Sequence, residues 1–180
     1  MKTIGIDARL YGQGLGLGRY VSKLIEHLER CQSEYQFVIF LRKQNFDAYE
    51  PRNKQFRKVC VDVPWYSLSE QLVLPWLFLR EKCDLLHIPH FNIPILYPRK
   101  MVITIHDLIL VKHPLSATIA ASTRHPFVHR IKYWGFHVVL MIALARACRI
   151  IAVSQSVADD LSVFASRIRQ KIVVVPEAAD

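Results

Sequence analysis

A glycine-rich turn between a predicted strand and a predicted helix constrains this chain more than any other feature. Residues 3–20 read TIGIDARLYGQGLGLGRY, so that an apolar strand leads into a loop carrying Gly12, Gly14, Gly16 and Gly18. Glycine allows positive φ and close approach of another group, because it has no Cβ. A helix is expected to begin near Arg19, with its unpaired N–H groups above the strand. Phosphate or another anion is the natural occupant of such a turn.

The loop departs from two known phosphate-binding patterns. No Gly-Lys-Ser/Thr follows it, and the third glycine of a G-x-G-x-x-G would fall at Leu17 or Arg19. The acidic residue that binds ribose in dinucleotide sites is also missing, since the next predicted strand ends in Arg42-Lys43. Two alternatives to an anion site therefore stay open. One is a strand-to-helix turn without a ligand, and the other is a nucleotide-dependent oxidoreductase domain.

Composition and length predict a globular protein of one domain over residues 1–180. The apolar fraction of 52% is that of a chain with a packed core. The four cysteines are far apart and include no C-x-x-C, which indicates neither a disulfide framework nor a zinc site. Buried reduced thiols are expected instead. The N-terminus lacks a signal-peptide pattern, and a cytoplasmic location is therefore predicted.

Positive charge is concentrated in one part of the chain. Residues 99–149 contain eight Lys and Arg but one acidic residue, Asp107. Such a segment can meet anionic lipid, nucleic acid or a phosphorylated substrate, or it can form a solvated face without a partner. No nucleic-acid-binding motif accompanies the charge, and no nucleic-acid partner is expected.

Strands and helices alternate along the chain, which predicts an α/β fold with a parallel sheet and helices on both faces. After the first strand, strands are expected over residues 37–41, 58–63, 84–89, 101–107, 149–154 and 171–176. Helices are expected over 19–31, 70–81 with a kink or split at Pro75, 126–148 and 157–164, with a loop over 108–124. The long helix has no charged residue from 133 to 145, fewer than the ~20 residues that span a bilayer. It is predicted to be buried, or to touch a membrane surface with its outer face.

Ligands of open parallel sheets bind outside the carboxyl ends of the strands. His106 ends a strongly apolar predicted strand, and the carboxylate of Asp107 follows at once. Its imidazole could exchange a hydrogen bond or a proton with a substrate hydroxyl near neutral pH; a histidine that only bonds a neighbouring loop is the alternative. Ser154 or Ser156 is expected to cap the helix over residues 157–164, and a cap is preferred to a catalytic role for Ser154. Asp7, His87 and Glu177 also lie at the carboxyl ends of predicted strands.

The histidines His87 and His90 lie three residues apart, and with Asp107 as a third ligand they are a candidate metal site. Successive side chains of a strand point to opposite faces, so this spacing places the two rings on opposite sides. No metal is expected.

Five segments in order resemble the N-terminal domain of glycosyltransferase family 4. They are IGIDARLYGQGLGLGRYVSKLIEHL, DLLHIPHFNIP, MVITIHDL, RIIAVSQSVADDL and KIVVVPEAAD. Members are retaining enzymes with the GT-B architecture of two facing Rossmann-like domains, and many are mannosyl- or glucosyltransferases of cell-envelope assembly. The resemblance implies transfer of a hexosyl group from a nucleotide sugar to a lipid-linked or polysaccharide acceptor. It implies no cofactor besides the nucleotide-sugar substrate.

The resemblance also implies roles for particular residues. Gly14 and Gly16, with Gly12, Gly18 and Arg19 less directly, would lie near the donor diphosphate and the acceptor. His106, with Asp107 beside it, would contact the transferred sugar, and Ser154 would open a helix at the edge of the cleft. In this family the N-terminal domain binds the acceptor and often docks on the inner face of the plasma membrane, which agrees with the basic segment.

The sequence stops at PEAAD, where such enzymes continue into a second domain that binds the donor. That domain carries a basic pair and the E-x7-E carboxylates. It is expected in cis, or as a separate chain, or to have been lost, and residues 1–180 alone are expected to be inactive. A non-catalytic α/β module that docks on a membrane or a partner is the alternative.

Overall fold

The computed structural model describes residues 1–12, 16–112 and 126–177. For residues 126–132 it describes the backbone and not the side chains. These residues form two compact units. The first contains residues 1–89 and 94–102, and the second contains residues 90–93 and the described residues from 103 onward. The expectation of one domain over residues 1–180 stays a prediction.

Within the described residues, seven strands form one sheet in the order β3-β2-β1-β4-β5-β6-β7. The strands are β1 (Thr3–Asp7), β2 (Gln36–Leu41), β3 (Phe56–Cys60), β4 (Leu85–Ile88), β5 (Met101–Ile105), β6 (Arg149–Ala152) and β7 (Ile172–Val174). The pairs β1–β2, β2–β3, β1–β4 and β6–β7 run parallel. The predicted α/β fold with a Rossmann-like parallel sheet is confirmed.

The helices also follow the predicted order. They are α1 (Leu17–Arg30), α2 (Leu68–Leu72), α3 (Leu74–Arg80), α4 (Ile109–Lys112), α5 (Pro126–Arg146) and α6 (Gln155–Phe164). The split expected at Pro75 occurs, because α2 ends at Leu72 and Pro75 lies in the first turn of α3. Ser67 caps α2, since its Oγ accepts a hydrogen bond from Glu70 N at 3.2 Å.

Several predicted strands end earlier in the structure, since those expected over 101–107, 149–154 and 171–176 end at Ile105, Ala152 and Val174. The third strand was expected over residues 58–63, but it ends at Cys60, because Val63 N bonds back to Val61 O at 2.8 Å and Pro64 follows. The loop predicted over 108–124 begins with the one-turn helix α4, and residues 113–124 of that prediction lie outside the described residues.

The prediction of buried thiols is correct for Cys83 and wrong for Cys31 and Cys60. Cys31 is the C-cap of α1, and Cys60 is the last residue of β3, which is first in the strand order and pairs with β2 on one side. Cys148 is partly buried. Burial raises the pKa of the Cys83 thiol to about 11. Its thiolate is therefore disfavoured at neutral pH.

The uncharged stretch of α5 is buried on one side only. Leu140, Ala143 and Leu144 are buried, which agrees with the expectation of a core helix for that face. Trp134, Val138 and Met141 are exposed, with 64% of Trp134 accessible to solvent. Their spacing of four and three residues places them on one helix face. No helix among the described residues is long and apolar enough to cross a membrane.

Candidate functional site

The carboxyl end of β1 is fixed by a buried ion cluster of Asp7, Arg9 and Glu70, called the Arg9 cluster below. Arg9 Nη2 lies 2.8 Å from Asp7 Oδ2 and 2.7 Å from Glu70 Oε1, and all three side chains are 0% exposed. The guanidinium also lies 4.0 Å from the centre of the Trp65 ring. Burial alone would lower the pKa of Arg9, but its carboxylate partners outweigh that effect and hold the pKa above its ordinary value. Arg9 is therefore a charged structural link between β1 and α2.

One buried amide holds the residues that lead into the glycine-rich turn. Asn45 Nδ2 donates to the carbonyl oxygens of Arg9 and Tyr11, at 3.0 and 3.1 Å. The next residue, Gly12, donates its N–H to Ser22 Oγ at 3.0 Å. These contacts fix the first part of the turn from two sides, and nothing in the sequence pattern indicated Asn45.

The turn has the backbone that its glycines were expected to provide. Gly12 has φ of 67° and Gly16 has φ of 76°, both in the region that favours glycine. Gly16 is the N-cap of α1, which has neither a side-chain cap nor an acidic residue in its first turn. An anion at this helix start would meet no carboxylate of that turn. Gly18 is buried in α1 and Arg19 is exposed. Gly14 lies outside the described residues.

In the second unit, His106 directly follows β5, and its ring contacts a carboxylate. Its Nδ1 lies 2.7 Å from Glu177 Oε1, with side-chain exposures of 18% for His106 and 43% for Glu177. Asp107 is exposed, and its Oδ1 accepts a hydrogen bond from Ile109 N at 2.9 Å, at the start of α4. The imidazole is thus held in place while part of it reaches solvent.

Ser154 lies at the carboxyl end of β6 and caps α6. Its Oγ accepts a hydrogen bond from Val157 N at 3.2 Å, so the predicted capping role is confirmed. The chain after β7 runs beside this point, since Glu177 N donates to Val153 O at 3.4 Å. His106, Ser154 and Glu177 therefore all follow strands of the second unit at their carboxyl ends.

No group of three or more His, Cys, Asp or Glu among the described residues could hold a metal ion. His90, one of the histidines considered for a metal, accepts a hydrogen bond at Nδ1 from Asn92 N at 3.1 Å. Its ring also lies 4.2 Å from that of Phe91.

Comparison with known protein families decides the assignment. The family model described as Glycosyltransferase Family 4 matches residues 15–180. The chain belongs to glycosyltransferase family 4. A comparison with curated proteins returns no match. The sheet described above is consistent with the N-terminal half of the GT-B fold, and membership in the family implies binding of a nucleotide sugar and an acceptor in general. The roles of individual residues stay predictions.

Sequence reasoning missed Glu177 as the partner of His106, although a signal was present. Glu177 directly follows the last predicted strand, and the carboxyl ends of parallel strands share one edge of a sheet. The same rule identifies His106 and Ser154 as candidate site residues. Applying it to pairs of residues would have placed a carboxylate near the imidazole.

Proposed function

We propose that this chain is the acceptor-binding domain of a retaining glycosyltransferase. The enzyme moves a hexosyl group, of mannosyl or glucosyl type, from a nucleotide sugar to a lipid-linked or polysaccharide acceptor of the cell envelope. The observation that carries the proposal is His106, held by Glu177 at a strand end in a family 4 chain. A ring that is fixed and still partly exposed can bond a hydroxyl group of a bound sugar.

The proposed roles follow from the chemistry of each group. His106 contacts the transferred sugar, with Asp107 and Ser154 at the margin of the same unit's site. Backbone N–H groups of Gly14 and Gly16, and that of Gly18 in the first turn of α1, stabilise the diphosphate as it leaves, and Arg19 adds positive charge. Gly12 shapes the turn, because its own N–H already donates to Ser22 Oγ. The reaction uses no metal and no cofactor besides the nucleotide-sugar substrate.

Transfer in this proposal requires a second, donor-binding domain, supplied by a longer chain or by a separate chain. The experiment incubates the two-domain enzyme with radiolabelled nucleotide sugars and an envelope extract as the acceptor pool. We expect label in the lipid or polysaccharide fraction with one of the sugars, and negligible transfer by residues 1–180 alone. Absence of transfer by the two-domain enzyme with every sugar nucleotide would contradict the proposed function, and favour the non-catalytic module.

A second proposal concerns location: the domain docks on the anionic, cytoplasmic face of the plasma membrane. The observation that favours it is the exposed apolar face of α5, formed by Trp134, Val138 and Met141. This face lies within the segment of residues 99–149, whose Lys and Arg outnumber its acidic residues by eight to one. An apolar face combined with positive charge is the pattern of proteins that bind anionic bilayers at their surface.

Sedimentation with lipid vesicles tests the docking surface. The chain should bind vesicles that contain anionic lipid and be released by high salt, because salt screens the surface charge. Exchange of Trp134 and Met141 for serine should weaken binding by about tenfold or more, since both lose apolar contact with the bilayer. Val163→Ser, which removes an exposed apolar residue of α6, is the matched control and should bind normally. Loss of binding in Trp76→Ser, and not in the α5 variant, would place the docking surface on α3.

A further inference from the structure

A carboxylate that the sequence pattern left without a role contacts the imidazole of the second unit. Glu177 Oε1 lies 2.7 Å from His106 Nδ1. This is a short distance for a charge-assisted hydrogen bond between nitrogen and oxygen. The contact joins residues that are far apart in the sequence, one following β5 and the other following β7.

Both partners are placed by the backbone. His106 follows Ile105, the buried last residue of β5. After β7 the chain continues beside β6, because Val175 N donates to Ala152 O at 2.9 Å and Glu177 N donates to Val153 O at 3.4 Å. These backbone contacts therefore bring Glu177 close to the ring.

The contact determines which ring nitrogen carries the proton. A carboxylate accepts hydrogen bonds and donates none, so the short contact requires a proton on His106 Nδ1. A neutral imidazole has a single proton, and Nε2 is then the nitrogen with the lone pair. The same contact resists rotation of the ring about its bond to Cβ.

We propose that Glu177 is a positioning residue for His106. It holds the tautomer with the proton on Nδ1, together with the ring orientation, so that Nε2 accepts a hydrogen bond from a hydroxyl group of the sugar or the acceptor. The catalytic consequence rests on the proposed function. The tautomer is a property of the chain alone and can be measured without any substrate.

Nuclear magnetic resonance of the 180-residue chain tests the tautomer. Long-range nitrogen–proton correlations distinguish the two neutral forms of each ring, and the His106 signals are those that disappear in His106→Ala. At a pH where the ring is neutral, we expect His106 to carry its proton on Nδ1. Glu177→Ala should shift the population toward the Nε2–H form that free imidazole favours in water. Glu177→Gln should keep the Nδ1–H form, because the amide oxygen still accepts a hydrogen bond.

A matched control removes a carboxylate elsewhere in the same unit. Asp159 is exposed on α6 and pairs with Gln155, so Asp159→Ala changes the net charge without touching the ring. In the Asp159→Ala variant, His106 should have the same tautomer as in the unsubstituted chain. An unchanged tautomer in Glu177→Ala would overturn the inference, as would an equal shift in Asp159→Ala.

Kinetics of the two-domain enzyme test the consequence for transfer. We expect Glu177→Ala to lower kcat about tenfold or more with little change in KM for the donor, and Glu177→Gln to retain most of the activity. A shifted tautomer with an unchanged kcat would overturn the positioning role. If the unsubstituted enzyme transferred no sugar, the proposed function would fail while the tautomer measurement would still stand.

Discussion

Replacing Arg9 by leucine is expected to lower the free energy of unfolding by about 3–5 kcal/mol. The substitution leaves the carboxylates of Asp7 and Glu70 buried without the guanidinium that now lies 2.8 and 2.7 Å from them. It also removes a donor to Val63 O, at 3.2 Å, and the cation that stacks on Trp65 at 4.0 Å. Urea unfolding of the 180-residue chain, followed by circular dichroism, measures the loss.

Three further variants separate burial of charge from other effects. Arg30→Leu removes an exposed partner of Glu26 on α1 and should change the free energy of unfolding far less than Arg9→Leu, because solvent screens this pair. Arg9→Lys keeps the positive charge and should therefore lose less stability than Arg9→Leu. It should not restore full stability, since an ammonium group cannot donate to both oxygens of Asp7 as the guanidinium does. Replacing the whole Arg9 cluster by apolar residues should be better tolerated than Arg9→Leu alone. A loss for Arg9→Leu no larger than that for Arg30→Leu would show that the cluster does not stabilise the fold.

The architecture could be predicted because its signals are local. Apolar runs such as residues 37–41 read as buried strands, and Pro75 marks the break between α2 and α3 from its missing N–H alone. The glycines of the first turn likewise indicated positive φ, which Gly12 and Gly16 adopt. Each of these features depends on residues within a few positions of one another.

The features that sequence reasoning missed depend on contacts between distant residues. Nothing near Arg9 in the sequence indicates that it is buried, because Glu70, which it bonds besides Asp7, is 61 residues away. Asn45 holds carbonyl groups that precede it by more than 30 residues, and no pattern of its own neighbours indicates this. The burial of one face of α5 and the exposure of the other follow from packing, since the stretch is uncharged all round.

His106→Ala should lower kcat of the two-domain enzyme by about 100-fold, because loss of a contact that positions the transferred sugar costs on the order of 10²-fold. The fold should persist, since the ring is partly exposed at the end of β5 and its partner Glu177 can be solvated when the ring is removed. Transfer of radiolabelled sugar measures the activity. Thermal unfolding of the 180-residue chain should show a change of no more than about 1 kcal/mol.

His137→Ala is the matched control for His106→Ala. His137 lies on α5 in the same unit, and its Nδ1 is 3.0 Å from Tyr133 O, so this variant also removes an imidazole with a local hydrogen bond. Its kcat should stay within about twofold of the unsubstituted enzyme, since a partly buried structural histidine supports packing and not transfer. Equal losses in both variants would indicate a general effect on folding, and unchanged kinetics in His106→Ala would remove this residue from the reaction. A large loss confined to His106→Ala would assign the sugar contact to the imidazole that Glu177 holds at the end of β5.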